Sequence, residues 1–276
     1  MAKGIFLLPY FGPLPRWVEL FLFTCARNPD YDFVIYSDQP QPSGPIAANV
    51  KWRALTLQGL VLRVEEAIGI PLPGPFSPIK ACDFRPAFGE VFADDIGDIP
   101  FWGHADIDIF WGRIGVALTP AILTHDVISA HRSRLCGPFT LYRNTAGINS
   151  LYRLAPQTTA AFADPAHLAY DEIGFSRHVL AQADAGAIRF AGGVGNQSHS
   201  ESKGEYIYLD SRISRRSPFL EAVQPLLPGA VSRALSARAE SMFFHFRTWK
   251  NTISYDFDPS QVRGWRLSAT RLDPIM

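Results

Sequence analysis

Gly4-Ile5-Phe6-Leu7-Leu8-Pro9-Tyr10 is an uninterrupted apolar run, the pattern of a β-strand covered on both faces. Gly12 and Pro13 stop it. Beyond them Trp17, Val18, Phe21, Leu22 and Cys25 recur at helical spacing, with Pro15 suited to a first turn and Asn28-Pro29 closing the segment. Residues 32–36 read as a second strand that ends at Ser37-Asp38. Strand, helix and strand in that order imply parallel strands joined by a right-handed crossover. Such sheets bind ligands outside the carboxyl ends of their strands, which puts Tyr10-Phe11-Gly12 and Ser37-Asp38 on one rim.

Working outward, a proline-rich loop at 39–45 leads to a third strand at 50–55 and a helix over 57–67. After a second such loop at 70–78, Lys80, Phe84, Phe88 and Phe92 fall at helical spacing, and Pro86 must break or start that helix. A strand then enters Asp106-Ile107-Asp108. Further strands are expected near Phe139, Arg189 and Tyr206, with helices over 167–183 and 220–235. Residues 242–249 are aromatic-rich, and the C-terminal tail is polar with no strong pattern. The expected class is α/β, a Rossmann-like mixed sheet with helices on both faces, in one domain spanning 1–276. Gly192-Gly193-Val194-Gly195 lacks the lysine-serine ending of a phosphate loop, and no glycine-led helix start follows it. It reads as a mobile turn, continued by a loop at 196–203.

Composition narrows the function. The chain has 276 residues, 47% of them hydrophobic, enough to bury a large core. Its 26 lysines and arginines balance 26 aspartates and glutamates, so the summed field gives no reason to expect nucleic acid as a partner. Cys25, Cys82 and Cys136 are odd in number, far apart and without a CxxC pair, as in a reducing, cytoplasmic setting. The N-terminal apolar run is interrupted by prolines and has no small-x-small cleavage site after it, so it is expected to be a strand rather than a signal peptide. No apolar run approaches the ~20 residues of a transmembrane helix. Peripheral contact with the inner membrane face through aromatic side chains is compatible with this composition.

The chemistry concentrates in Phe101-Trp102-Gly103-His104-Ala105-Asp106-Ile107-Asp108. Side chains two apart on a strand face the same way, so Asp106 and Asp108 can project together. Two carboxylates that close in an apolar setting repel each other and lose hydration, and a hard cation resolves the conflict. Mg²⁺ or Mn²⁺ uses one or two carboxylates and leaves its other positions to water and phosphate oxygens. Either residue could instead be a helix cap or a surface acid, but the aromatic neighbours on both sides, Phe101-Trp102 and Phe110-Trp111, fit a solvated loop poorly.

These runs resemble a family. Lys80-Ala81-Cys82-Asp83-Phe84-Arg85-Pro86-Ala87-Phe88-Gly89, the aspartate run and the opening Leu8-Pro9-Tyr10-Phe11-Gly12 are similar to an uncharacterised bacterial group of the metal-dependent GT-A glycosyltransferases. The resemblance implies a nucleotide-binding half at 1–112 and an acceptor-binding half at 113–276. It implies that Tyr10 and Phe11 lie near the nucleotide base, Asp38 near the base or ribose, and Lys80 near the phosphates or donor sugar. Each has a plainer reading: core aromatics, a turn-former and a surface cation. In Phe243-Phe244-His245-Phe246-Arg247-Thr248-Trp249-Lys250, His245 resembles the third metal ligand of retaining enzymes and Lys250 their diphosphate-binding lysine, with Arg247 able to substitute. The glycine those enzymes carry between the two is missing, and a packed core histidine is the alternative for His245. Asp171 and Glu172 resemble the acidic segment beside the donor sugar, where a carboxylate could steady positive charge or act as nucleophile; a solvated helix face is the alternative. Arg143 or Asn144 could touch sugar hydroxyls, and His104 could orient Asp106 or simply be packed.

The implied function is metal-dependent transfer of a sugar from a nucleotide diphosphate donor, UDP above all, to a hydroxyl of a glycan or glycolipid in polysaccharide biosynthesis, with retained configuration. Its rivals are a haloacid-dehalogenase-type phosphatase, whose nucleophile also lies in an aspartate-x-aspartate, and a non-catalytic glycan-binding protein.

Overall fold

The computed structural model describes residues 2–44, 46–195, 197–199, 206–215 and 240–276. In chain order the strands are β1 (Gly4–Tyr10), β2 (Tyr31–Ser37), β3 (Val50–Ala54), β4 (Phe101–His104), β5 (Ile109–Trp111), β6 (Val127–Ser129), β7 (Thr140–Arg143) and β8 (Phe190–Gly192). They continue as β9 (Gln197–His199), β10 (Tyr206–Leu209), β11 (Arg212–Arg215), β12 (Glu240–Ser241), β13 (Phe243–His245), β14 (Gly264–Leu267) and β15 (Leu272–Ile275). The longer helices are α1 (Val18–Ala26), α2 (Leu57–Ile68) and α3 (Gly174–Asp184). No described helix is long and apolar enough to cross a membrane.

The chain divides into two compact units that interleave in sequence. The first holds residues 1–15, 29–107 and 119–194; the second holds 16–28, 108–118 and 195–276. This differs from the expected single domain with halves at 1–112 and 113–276. Strands β6, β7 and β8, expected in an acceptor half, complete the first unit's sheet, while α1, expected in the nucleotide half, belongs to the second unit.

The first unit is a Rossmann-like α/β fold around a seven-stranded sheet of order β3-β2-β1-β4-β7-β6-β8. Strands β1 to β4 are parallel, β7 runs against β4 and β6, and β6 and β8 are again parallel. Ile5, Leu7, Val34 and Tyr36 pack one face against Leu60, Val61 and Val64 of α2, while Phe6 stacks on Phe33 at 5.2 Å. Helix α2 starts where the Thr56 hydroxyl accepts the Gly59 amide at 3.0 Å. It stops at Gly69, whose φ of 78° a side chain would resist.

Strand β4 lies between β1 and β7, and its Gly103 has a packing reason. A Cβ there would stand 2.4 Å from the Thr140 carbonyl oxygen, a backbone atom fixed by the β4–β7 ladder. Gly103→Ala is expected to destabilise the protein by about 2–3 kcal/mol, because neither strand can move without losing register. The midpoint of urea unfolding would show it.

Around Lys80 the expected helix is broken up. Short 3₁₀ turns cover Pro78–Cys82 and Arg85–Ala87, and Pro86 sits in the first turn of the second, where its missing N–H has no acceptor to lose. The helix expected over 167–183 begins only at Gly174. Upstream, the carboxylate of Asp83 accepts the amides of Leu168 and Tyr170 at 2.9 and 2.7 Å, and Ala169 has a φ of 49°. Asp171 and Glu172 therefore sit in a turn rather than on a helix face.

The second unit has a five-stranded antiparallel sheet, β12-β11-β10-β14-β15, and a three-stranded sheet, β5-β13-β9. Aromatics fill its core: Phe110 stacks on Phe246 at 4.5 Å and Tyr208 on Trp265 at 4.2 Å, with Trp17 and Leu20 of α1 in the same cluster. Asn28, just past α1, binds the chain beyond β5, donating to the Gly112 carbonyl and accepting the Ile114 amide, each at 2.9 Å. The tail expected to lack a pattern forms the β14–β15 hairpin, with Trp265, Leu267 and Leu272 buried. The helix expected over 220–235 lies outside the described residues. So does the loop expected at 196–203, apart from residues 197–199 in β9.

Candidate functional site

In the first unit the register pairs Tyr10 with Ser37, so the ends of β1 and β2 share the rim foreseen for them. Both oxygens of the exposed Asp38 lie near the Gly12 amide, at 3.0 and 3.3 Å, which ties the two loops together. The Tyr10 hydroxyl donates to the Pro13 carbonyl at 3.1 Å. Phe11 is buried in the hydrophobic core, so its ring is not a surface on which a base could stack.

Strand β4 sits on the other side of β1 and runs parallel to it, delivering Ala105-Asp106 at the same rim. Arg85 organises what surrounds Asp106. Its guanidinium donates to Asp106 at 2.6 Å and to Asp171 at 3.1 Å, while it is itself buried. Beside it the Glu172 carboxylate accepts the Gly137 amide at 2.7 Å and pairs with Arg134 at 3.3 Å. A Cβ on Gly137 would stand 3.1 Å from the Arg85 guanidinium and 3.2 Å from the Glu172 carboxylate, so both side chains close over this glycine. Asp106 and Asp171, from separate stretches of sequence, thus share one arginine, and Glu172 follows Asp171 with an arginine of its own.

Asp171 is 2% exposed, and burial pushes its carboxyl up to about 7. Arg85 pulls the other way, and the charges of Glu172 and Asp106 add to the rise. The group can therefore carry or release a proton near neutrality, as an acid or base catalyst must. A carboxyl near 4 when unfolded and near 7 when folded binds more protons in the folded state between those values. Stability should therefore fall as pH rises from about 4 to about 7, and level off above. In Asp171→Asn that part of the slope should vanish, which thermal unfolding across this range would measure.

His104 is buried at the end of β4, two residues before Asp106. Its Nδ1 lies 3.1 Å from the Gly137 carbonyl, which assigns the ring proton to that nitrogen. Burial and the Arg85 charge hold it well below the usual histidine range, so it is a neutral packed ring.

The second unit contributes Asp108, His245 and Lys250. The antiparallel ladder pairs His245 with Ile109, and the Phe246 amide donates to the Asp108 carbonyl at 3.0 Å. Backbone pairing therefore fixes the histidine beside the aspartate. His245 Nε2 lies 3.4 Å from one Asp108 oxygen and Lys250 Nζ 3.5 Å from the other. Burial alone would raise the Asp108 carboxyl, but His245 and then Lys250 hold it below the ordinary carboxylate range. Arg247 is exposed. Within the second unit, Asp108 and His245 offer a carboxylate and an imidazole, an oxygen and nitrogen pair that fits Mn²⁺.

The profile of one protein family matches residues 6–261, which is most of the chain. The chain belongs to DUF6625, a family of unknown function. No curated protein matches it.

Besides Phe11, two sequence-based assignments in this DUF6625 chain are corrected. Lys80 is fully buried, and its ammonium donates to Asp83 at 2.9 Å and to the carbonyls of Ala161 and Ala166 at 2.6 and 2.9 Å. All three N–H groups have acceptors, so Lys80 has none to offer a phosphate. Together with Asp83 it pins the segment that leads to Asp171. Asn144 lies past β7, at the end of the sheet opposite Asp106, because β7 is antiparallel to β4 and its Arg143 pairs with Phe101. Its amide donates to the carbonyls of Gly97 and Ile99, and its oxygen accepts from Asn149. Arg143 is likewise engaged, by Asp126 and two carbonyls. Asp83 and Arg85, which sequence reading passed over, are the residues that build the acidic cluster of this chain. The i,i+3 spacing of Lys80 and Asp83 was the one available signal.

Proposed function

We propose that this protein is a metal-dependent glycosyltransferase of the GT-A type, moving a sugar from a nucleotide diphosphate donor, UDP above all, to a hydroxyl of a glycan or glycolipid. The observation that carries the reading is the place of Asp106. In the order β3-β2-β1-β4, the sheet grows one way from β1 and then resumes on its other side with β4. The crevice outside the carboxyl ends of strands at such a switch point is where α/β sheets take nucleotides. Gly12 and Asp38 flank it on the β1–β2 side, and Asp106 on the β4 side.

In this reading Asp106, Asp108 and His245 hold Mn²⁺ or Mg²⁺. When bound, the cation would supply Lewis acidity to the departing diphosphate. Lys250, with Arg247 as a substitute, would take up charge on the same group. Arg85 holds Asp171 and Asp106 in place, and Asp171 or Glu172 would face the anomeric carbon of the donor sugar. A carboxylate there would steady positive charge on that carbon, which fits retention of configuration. The reaction would run in the cytoplasm, at most in peripheral contact with the membrane.

A thermal-shift screen of nucleotide-sugars with and without Mn²⁺ tests the proposal, since a ligand of the folded state raises the melting temperature. A shift that needs both donor and metal is expected. A shift with metal and phosphomonoesters but with no nucleotide would favour the phosphatase instead.

A further inference from the structure

The glycine cluster Gly192-Gly193-Val194-Gly195, which the catalytic reading leaves without a role, explains a second feature of the same rim. Strand β6 is parallel to β4 across β7, so the loop that follows it, residues 130–134, emerges on the side where β4 delivers Asp106. Strand β8 pairs in parallel with β6, bringing Gly192 level with Ser129. A Cβ on Gly192 would stand 2.2 Å from the Arg132 carbonyl oxygen, and one on Gly193 would stand 2.8 Å from the Arg132 side chain. Gly193 also has a positive φ, 72°. Gly192 and Gly193 therefore form a close-fitting seat for the 130–134 loop rather than a mobile turn.

The loop is braced from within as well. The Ser129 hydroxyl donates to the Arg134 carbonyl at 2.9 Å and accepts the His131 amide at 3.3 Å; the Val194 amide donates to the Ser129 carbonyl at 3.0 Å. What it presents is His131, Arg132 and Arg134 within four residues. Arg134 reaches Glu172, and through it the acidic cluster. Arg132 is exposed and makes no ion pair or hydrogen bond among the described residues. A fixed backbone carrying a free guanidinium beside a reaction centre is an arrangement for an anion, because guanidinium N–H groups match phosphate oxygens in pairs.

The sheet order indicates which anion. The nucleotide side of the rim is at β1 and β2, whereas β6 lies three strands beyond β1, on the order of 14 Å away at the ordinary strand spacing, with Asp106 between. We propose that the 131–134 loop recognises a phosphate group carried by the acceptor, with Arg132 as its principal contact. Assigning this phosphate to an acceptor rests on the glycosyltransferase reading; the anion site itself does not. The phosphate could belong to a lipid headgroup or to a soluble sugar phosphate, and both present the same oxygens to the loop.

The test uses the full chain without donor or metal. Binding of glucose 1-phosphate is measured by calorimetry against glucose, and co-sedimentation with phosphatidylglycerol-containing vesicles is measured against pure phosphatidylcholine. Arg132→Ala should weaken whichever arm is positive about fivefold, the effect of one arginine near an anionic surface, and Arg132→Lys should recover most of it. Added salt should weaken it further. UDP binding with Mn²⁺ should be the same in Arg132→Ala as in the wild type. A positive soluble arm identifies a sugar phosphate, and a positive vesicle arm alone identifies a lipid headgroup. The proposal is overturned if neither arm exceeds its neutral control, or if folded Arg132→Ala binds as the wild type does. Because no donor is present, a failed donor screen would sink the transferase reading without touching this result.

Discussion

Asp108→Ala is expected to weaken Mn²⁺ binding at least about 100-fold and to abolish metal-dependent turnover of a nucleotide-sugar. Even residues that only orient a metal's ligands are worth 10- to 100-fold in affinity, so loss of a ligand should exceed that. The physical ground is the held charge of Asp108. A carboxyl that is 9% exposed would ordinarily drift toward its neutral form, yet His245 and Lys250 keep this one ionised. An ionised acid at a site from which water is largely excluded is a strong ligand for a divalent ion. Calorimetric titration with Mn²⁺ alone reads this directly, and Asp108→Asn, which keeps the shape, should lose nearly as much. Alanine and asparagine variants that remain folded and bind Mn²⁺ as the wild type does would remove the metal from the mechanism. A merely structural Asp108 would instead give a lower melting temperature with metal binding intact.

The first unit's frame was legible in the sequence because its signals are local. The apolar run of β1, the spacing of α2 and the stop at Ser37-Asp38 each depend on a few neighbouring residues, and the rim shared by Gly12 and Asp38 follows from chain order alone. The place of Asp106 just past β4 was legible for the same reason. What could not be read depends on distant partners. Arg85 meets Asp171 across 86 positions and Lys80 meets Ala161 across 81, and no spacing rule connects residues so far apart. For Lys80 the resemblance implies a place near the phosphates and the plainer reading a surface cation, because lysines are rarely buried; only the saturation of its ammonium by three acceptors makes burial affordable here. Strands β14 and β15 were missed because four residues such as Gly264-Trp265-Arg266-Leu267 give too short an alternation to stand out. That α1 belongs to the second unit was invisible as well: helical periodicity reports an apolar stripe, not what the stripe will face.

Arg85→Met is expected to destabilise the protein by about 3 kcal/mol, at the lower end of the range for breaking a buried ion pair, and to lower the melting temperature by on the order of 10 °C. The lower end applies because the Asp106 side chain retains 26% exposure and can be hydrated when it loses its partner, whereas Asp171 retains 3%. The loss should grow with pH. Below about 5 Asp171 can hold its proton and needs no cation; at pH 8 the wild type has Arg85 beside the ionised group and the variant has nothing. Asp171→Asn placed on top of Arg85→Met should recover part of the loss at pH 8 and little at pH 5, a coupling that a double-mutant cycle isolates. The same variant separates two roles for the arginine. If Arg85 only braces the fold, Mn²⁺ affinity should follow the fraction folded. If its positive charge acts on Asp106 from 2.6 Å, removing it should raise Mn²⁺ affinity in the folded variant even as stability falls. We expect the second outcome, because the oxygen that Arg85 holds belongs to the carboxylate assigned to the metal.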